Sequence, residues 1–279
     1  MFPNIIFAAL PLLARATYLD DSLLQKPLQD SRPHSRPERV VPLTLDSHLH
    51  YTFPSLSSSD NTTPLPFELI QDLRTWSSEF CLDTINIPLD LSVPGTITYT
   101  YSSPDSAPAP LTRPKITSHM SWVTSRSWKL GERIPLGTVG VRKGGMIAME
   151  AQAARLDLRT PFIYVPTGIW DVLVQAARPE RLPVDREEDT VVDCESKGVF
   201  PDIVFGLNED GEEKEYAENV DELVVRPEQY VVETAEGKCV LLVRNAESCD
   251  DGEIVLGWAA IRGREFVLDW TKGRIGFGR

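Results

Sequence analysis

The sequence predicts an all-β protein with few short helices, because short stretches rich in β-branched and aromatic residues alternate with turns along most of it. Two helical patterns interrupt these stretches. No nucleophile elbow, P-loop or dinucleotide-binding fingerprint is present, so the α/β enzyme classes that carry these motifs are not indicated. The β-rich stretches lie at residues 95–101, 126–141, 162–165, 202–207, 238–243 and 254–261.

Both helical patterns come from the spacing of apolar residues. The first follows Pro64 and Pro66 and consists of Phe67, Leu69, Ile70, Leu73 and Trp76. In the second, Thr167 is placed to cap a helix over residues 168–177. We expect its inward-facing residues to be Ile169, Val172, Leu173 and Ala176.

The N-terminus has the pattern of a secretory signal, which we assign to residues 1–16. An apolar run over residues 5–13 is too short to span a bilayer, and the small-x-small sequence Ala14-Arg15-Ala16 follows it. The segment before the run lacks lysine and arginine, so an apolar N-terminal strand or helix is the alternative. We expect a secreted protein, in which Asn61 would be a glycosylation acceptor.

Composition and charge exclude some partners and favour others. The 279 residues carry a formal net charge of −13, which argues against nucleic acid as a partner and against anionic membranes. No run after the signal is long and apolar enough to cross a membrane. No C-x-x-C pair indicates a zinc site. In an oxidising compartment one or two disulfides are expected, with three pairings open, among Cys81, Cys194, Cys239 and Cys249.

Two segments of the C-terminal half read Phe-Pro-Asp-Ile-Val-Phe, at residues 200–205, and Ile-Val-Leu-Gly, at residues 254–257. They resemble the Leu-Pro-Asp-Ile-Val-Phe strand and the Ile-Leu-Gly segment of the pepsin-like aspartic peptidases. Fainter similarity extends upstream to residue 65. Further similar segments, collinear with these, lie at residues 95–99, 122–136, 162–166, 226–231, 266–269 and 274–277.

This resemblance implies a domain organisation. Residues 65–279 would form the second, C-terminal lobe of the family, and the first lobe would be largely missing. Residues 17–64, whose part from residue 24 is rich in Pro, Ser, Arg and Asp, would be a linker, a propeptide-like segment or a remnant of the first lobe. The resemblance also implies a Cys194–Cys239 disulfide, whereas Cys81 and Cys249 are left without an assigned pairing.

The family's chemistry requires two facing aspartates that share one proton, each in an Asp-Thr-Gly or Asp-Ser-Gly turn. Counting back from residues 162–166 places the second-lobe motif at Asp157, followed by Leu158 and Arg159 in place of the hydroxyl residue and the glycine. The motif is therefore degenerate. In a rival register Pro166-Thr167-Gly168 is the turn, without any aspartate. Asp83 begins the one segment that resembles a broken first-lobe motif.

The predicted function follows from this incomplete dyad. We expect a secreted, non-catalytic relative that binds a peptide or protein and needs no cofactor or metal. The alternative is an active acid endopeptidase, completed by a partner lobe or by a second copy in a homodimer. A truncated gene product without function is the third possibility. His48 and His50 near Asp46, and the acidic turns at residues 209–213 and 250–251, are weak metal candidates.

Overall fold

The computed structural model describes ten stretches of the chain, all within the compact unit Arg36–Arg279. They comprise residues 38–54, 62–64, 80–101, 119–124, 133–177, 190–207, 221–234, 237–248, 252–269 and 274–278. The predicted helix over residues 67–76, the glycosylation acceptor at residue 61 and the signal at residues 1–16 lie outside them. No described helix is long and apolar enough to cross a membrane.

Eight described strands form a fully antiparallel sheet in the order β3-β2-β1-β5-β4-β18-β19-β6. Strands from the beginning, middle and end of the chain are thus neighbours in it. Its strands are β1 (Glu38–Leu45), β2 (Tyr51–Pro54), β3 (Thr62–Pro64), β4 (Phe80–Asn86), β5 (Gly95–Tyr101), β6 (Met120–Thr124), β18 (Glu265–Asp269) and β19 (Arg274–Gly278).

A second, mixed sheet has the order β13-β12-β7-β9-β17-β10-β16, with β8 paired to β7. Its strands are β7 (Arg133–Arg142), β8 (Met146–Glu150), β9 (Ala153–Leu156), β10 (Ile163–Val165), β12 (Asp202–Leu207), β13 (Asp221–Val225), β16 (Val243–Asn245) and β17 (Ile254–Leu256). A smaller antiparallel sheet, in the order β11-β15-β14, contains β11 (Val191–Val192), β14 (Val231–Glu233) and β15 (Cys239–Leu241).

The helices of the described residues are short, as the sequence predicts. They are α1 (Thr167–Ala177), α2 (Pro227–Tyr230) and the 3-10 helices Cys194–Val199, Ala246–Ser248 and Trp258–Ala260. The predicted helix over residues 168–177 is confirmed, and it buries Ile169 and Leu173. The expected cap is wrong, because the carbonyl of Pro166 accepts the first helical N–H groups and Thr167 is already helical.

The core is formed by the strands whose apolar residues are buried on one or both faces. β7 buries Ile134, Leu136, Val139 and Val141, whereas all three residues of the inner strand β17 are buried. A strand covered on both faces reads as a continuous apolar run, which explains why no alternation marks β17 in the sequence. The predicted strand over residues 254–261 is too long, because Gly257 ends it and a 3-10 helix follows.

Residues 38–54 are part of the larger sheet. β1 pairs with β5 from Glu38↔Thr100 to Leu43↔Gly95, and it buries Leu43. Because the composition around them is rich in Pro and Ser, the sequence predicts a linker, a propeptide-like segment or a first-lobe remnant at these residues rather than strands. The proposed boundary at residue 64 stays a prediction.

Candidate functional site

The loop at residues 157–162 connects β9 to β10 around the end of β17. β17 lies between these two strands, parallel to β9 and antiparallel to β10. The Asp157 N–H donates to the Leu256 carbonyl at 3.0 Å, and the Gly257 N–H donates to the Phe162 carbonyl at 3.1 Å. The Trp258 N–H donates to the Thr160 carbonyl at 3.0 Å. The loop is therefore fixed to the chain that crosses beneath it.

Gly257 is the point at which the two chain segments come closest. A Cβ atom at this position would lie 2.3 Å from the Phe162 carbonyl oxygen and 2.6 Å from the Thr160 carbonyl oxygen. Both distances are far below van der Waals contact, and backbone atoms cannot rotate away as a side chain can. The crossing therefore requires glycine at residue 257 for steric reasons.

The carboxylate of Asp157 is held by two arginines. Its Oδ1 accepts from the Arg159 backbone N–H at 3.1 Å and from Arg159 Nε at 2.8 Å. Its Oδ2 accepts from Arg159 Nη2 at 2.8 Å and from Arg155 Nη1 at 2.9 Å. The Asp157 side chain is about one-tenth exposed. Each carboxylate oxygen thus has two donors, at least one of them charged.

This environment favours the ionised carboxyl group. Burial raises the pKa of Asp157, but the hydrogen bonds from Arg159 and the charges of Arg159 and Arg155 outweigh burial, and the pKa lies below the ordinary value of an aspartate. A carboxylate in this state cannot donate a proton near neutral pH. The neighbouring Leu158 is buried and has no hydroxyl group, so it cannot orient a second carboxylate.

The ion pairs extend beyond the loop. Arg155 Nε lies 3.4 Å from Glu253 Oε2, and Glu253 also pairs with Arg133 at the start of β7. The guanidinium of Arg244 lies 3.5 Å from the centre of the Phe162 ring. Sequence reasoning missed Arg133 on β7 and Glu253 just before β17, because these two residues are 120 residues apart. Arg155 could have been noticed, since it is two residues from Asp157 on a strand and shares a face with it.

Trp258 lies at the same chain crossing as the Asp157 loop. It follows Gly257 and is fully buried. Its Nε1 donates to the Leu49 carbonyl at 3.0 Å, and its ring meets the Tyr51 ring edge-on at a centroid distance of 5.2 Å. The tryptophan therefore anchors the β1–β2 hairpin to the crossing below Asp157.

The remaining sequence-derived candidates occupy other places. Thr167 and Gly168 of the rival register form the first turn of α1, directly after β10. Asp83 lies in β4, and nothing is described of its side chain. The carboxylate of Asp46 accepts the backbone N–H groups of His48 and His50 at 2.9 and 2.8 Å, which accounts for this cluster as a turn.

The Cys194–Cys239 disulfide is present, with a Cα–Cα distance of 5.2 Å. It links the 3-10 helix at residues 194–199 to β15. This confirms the pairing that the family resemblance implied. The Cys249 position, the Cys81 side chain and the acidic turns at residues 209–213 and 250–251 fall outside the described part of the chain.

Comparisons with known proteins agree with this architecture. The family model described as "Asp: Eukaryotic aspartyl protease" matches residues 111–279, which is more than half of the chain. Among solved structures, the crystal structure of Basic 7S globulin from soybean is similar, with a TM-score of 0.50 and 12% sequence identity. The match covers 75% of this chain and 55% of that one, so this chain spans about half the length of the globulin. No curated protein sequence matches.

Proposed function

The chain belongs to the eukaryotic aspartyl protease family, and from this premise we propose that it is a secreted, non-catalytic member that binds an extended peptide or protein segment. The proposal combines an inactive Asp157 loop with an open strand edge on the same sheet. The two parts rest on different residues and can be tested separately.

The observation that carries the proposal is the pairing of Asp157 with Arg155 and Arg159. Peptide hydrolysis in this family requires two carboxylates that share one proton and activate a water molecule between them. At Asp157 two guanidinium groups pair with the carboxylate. They favour the ionised form and occupy both oxygen atoms, so neither the shared proton nor the bound water is favoured.

Peptide binding is supported by the edge strand β8. In the part of the chain that the structure describes, β8 pairs only with β7, and Met146 and Ile147 are 47% and 59% exposed. An extended peptide can add a strand to such an edge, with its backbone supplying affinity and alternate side chains supplying specificity. Ile147 would provide an apolar contact for such a peptide.

Secretion is supported by two independent features. Residues 1–16 have the pattern of segments that direct export, and the Cys194–Cys239 disulfide is a bond that persists in oxidising compartments. Members of this family are also commonly secreted proteins. Recovery of the mature chain from the culture medium of a eukaryotic expression host, with residues 1–16 removed, tests this part.

The catalytic part is tested by incubating disulfide-intact protein with casein at acidic pH, with and without a transition-state-mimicking aspartic peptidase inhibitor. Pepsin serves as the positive control. We expect no inhibitor-sensitive cleavage. Cleavage that the inhibitor blocks and that Asp157→Ala abolishes would overturn the proposal, and it would indicate that a second chain or a second copy supplies the missing carboxylate.

The binding part is tested with unfolded casein peptides at neutral pH. Ile147→Glu places a charge on the open edge of β8, and we expect it to weaken binding about tenfold, equivalent to about 1.4 kcal/mol. Val191→Glu is the matched control, because Val191 is also an exposed apolar strand residue (42%) and lies in the separate β11 strand. Equal affinities of both variants and the wild type would exclude β8 as the binding edge.

A further inference from the structure

A cavity of about 480 Å³ lies apart from the Asp157 loop. It is formed where β13, α2, the end of β19 and the residues before β18 meet. None of its lining residues belongs to the ion-pair network around Asp157. Its wall includes Glu222, Val224, Arg226, Gln229, Arg264 and Gly278. A cavity of this size is within the range of small-ligand sites in proteins.

Arg264 supplies a largely buried positive charge to this cavity, and among the described residues no carboxylate pairs with it. Its Nη1 donates to the Gly278 carbonyl at 3.3 Å, and its Nη2 donates to Gln229 Oε1 at 2.7 Å and to the Val224 carbonyl. The Nε atom is buried without a hydrogen-bond partner. All of these acceptors are neutral. They orient the guanidinium group but leave its charge uncompensated.

Arg226 adds a second positive charge to the same wall. Its side chain is exposed, and no carboxylate of the described residues pairs with it. Its backbone N–H donates to Gln229 Oε1 at 2.9 Å, so one amide oxygen accepts from the Arg226 backbone and from the Arg264 guanidinium. Burial and the nearby charge of Arg226 lower the pKa of Arg264 to about 10, which is the expected effect of two adjacent cations without an anion.

The acidic residues of the wall leave this charge incompletely balanced. Glu222 is engaged elsewhere, because its Oε2 accepts from Arg142 Nη1 at 2.9 Å. Glu228 is exposed and is the one remaining carboxylate among the lining residues. Two guanidinium groups therefore face a single unengaged carboxylate. In a chain with a net charge of −13, this is a local excess of positive charge.

A third arginine lies beside the cavity, and the nearby carboxylate of Asp90 offsets its charge. Arg262 is buried, and its guanidinium donates only to backbone carbonyls, those of Pro88, Leu89, Glu228 and Gln229. Two of these carbonyls belong to cavity-lining residues of α2, which brings its charge close to the cavity wall. Burial lowers the pKa of Arg262 to about 10, and the group remains charged at neutral pH.

We propose that this cavity binds a carboxylate, supplied either by a small organic acid or by the C-terminus of a peptide. Guanidinium groups pair with carboxylates through parallel charged hydrogen bonds, and Arg226 is exposed enough to turn toward a ligand. A carboxylate is a monoanion and matches the excess of one positive charge. The volume also accommodates one or two residues attached to it.

The test uses the full, disulfide-intact chain at neutral pH and follows binding by titration calorimetry. Three probes separate the sources of the carboxylate: propionate, N-acetyl-dialanine with a free carboxylate, and the same dipeptide as its amide. We expect at least one of the two carboxylates to bind roughly tenfold more tightly than the dipeptide amide. Propionate binding would indicate a small acid, and dipeptide binding without propionate binding would indicate a peptide C-terminus.

Two variants assign that preference to the cavity. Arg226→Gln changes an exposed side chain and is expected to remove the preference for the carboxylate without unfolding the lobe. Lys238→Gln, which removes an exposed positive charge outside the cavity, is the matched control and should bind like the wild type. Equal affinities for acid and amide, or equal losses in both variants, would overturn the proposal.

This outcome does not depend on the casein experiments. The carboxylate probes report on Arg226 and Arg264, whereas peptide binding at β8 and cleavage by Asp157 involve none of the residues that line the cavity. A carboxylate preference in a protein that cleaves casein would leave the cavity proposal standing and remove the non-catalytic one. A protein that neither cleaves casein nor prefers the carboxylate probes would remove the cavity proposal and leave the non-catalytic one standing.

Discussion

The two arginine-rich regions of this lobe differ in what neutralises their charge. Around Asp157, the guanidinium groups of Arg155 and Arg159 are paired with a carboxylate on the same loop and strand. Around the cavity, Arg264 donates only to carbonyl and amide oxygens. In the first region each arginine pairs with a carboxylate, whereas in the second no carboxylate of the described residues pairs with Arg226 or Arg264.

The comparison separates the backbone of the Asp157 loop from the charges that the loop carries. The backbone crosses Gly257 with main-chain hydrogen bonds on both sides. The carboxylate of Asp157, in turn, is held in ion pairs with Arg155 and Arg159. A retained backbone is therefore no evidence of retained catalysis, and the charge state of the carboxylate is what has to be measured.

The largest expected effect comes from the backbone crossing at Gly257, next to Asp157. It does not depend on the charges of that region. Gly257→Ala would place a methyl group within 2.6 Å of two carbonyl oxygens, so we expect a loss of about 4 kcal/mol or more in the free energy of unfolding, or no soluble protein. Urea denaturation and soluble yield measure this. Gly137→Ala is the control, because a Cβ there meets no atom within 4 Å. Similar stability of both variants would contradict the crossing geometry.

The next largest effect comes from the Cys194–Cys239 disulfide, which supports the region around the cavity. The disulfide holds the 3-10 helix at residues 194–199, and Phe200 beyond it meets the ring of Tyr230 in α2 at 6.1 Å. Replacing Cys194 and Cys239 together by alanine should cost about 4 kcal/mol in the loop-entropy model. We expect the carboxylate preference of the cavity to weaken as well. Unchanged stability of the double variant under non-reducing conditions would contradict this role.

Much of the fold was predictable because its signals are local or belong to the family. The helix at residues 168–177 has a regular apolar face, and Cys194 and Cys239 form the disulfide that the family resemblance implies, whereas the role assigned to Asp157 stays a prediction. Strand β1 was not predictable from composition, because its partner β5 lies more than 50 residues further along the chain. The cavity was not predictable either, since its wall combines side chains from separate segments that meet only in the folded lobe.

A smaller effect tests the charge of Asp157 itself. Because the folded pKa is below the unfolded one, the ionised group stabilises the folded state above the unfolded pKa of about 3.9. That stabilisation is lost as the pH falls through the folded pKa. We expect Asp157→Asn to cost about 2 kcal/mol at pH 7, and the cost should shrink below about pH 4. Urea denaturation at a series of pH values measures it. A constant difference at all pH values would argue against an ionised group.

The smallest effect separates the two arginine partners. Arg159 supplies three of the four hydrogen bonds to Asp157 and Arg155 supplies one, although Arg159 is the more exposed of the two. We expect Arg159→Gln to cost about 1 kcal/mol and Arg155→Gln a similar amount or less, since solvent screens both pairs. Thermal unfolding of the two variants in low and high salt compares them. A stabilising effect of either substitution would contradict the pairing.

The most direct test of the central claim is a carbon-13 NMR titration of the Asp157 carboxyl group, assigned by comparison with Asp157→Asn. An ion-paired, non-catalytic carboxylate predicts a single transition at a pH below the ordinary aspartate value of about 3.9. A carboxyl group that shares a proton with a second one would instead titrate in two coupled steps, one of them above that value. A transition above the ordinary value would therefore contradict the account and return Asp157 to a catalytic role.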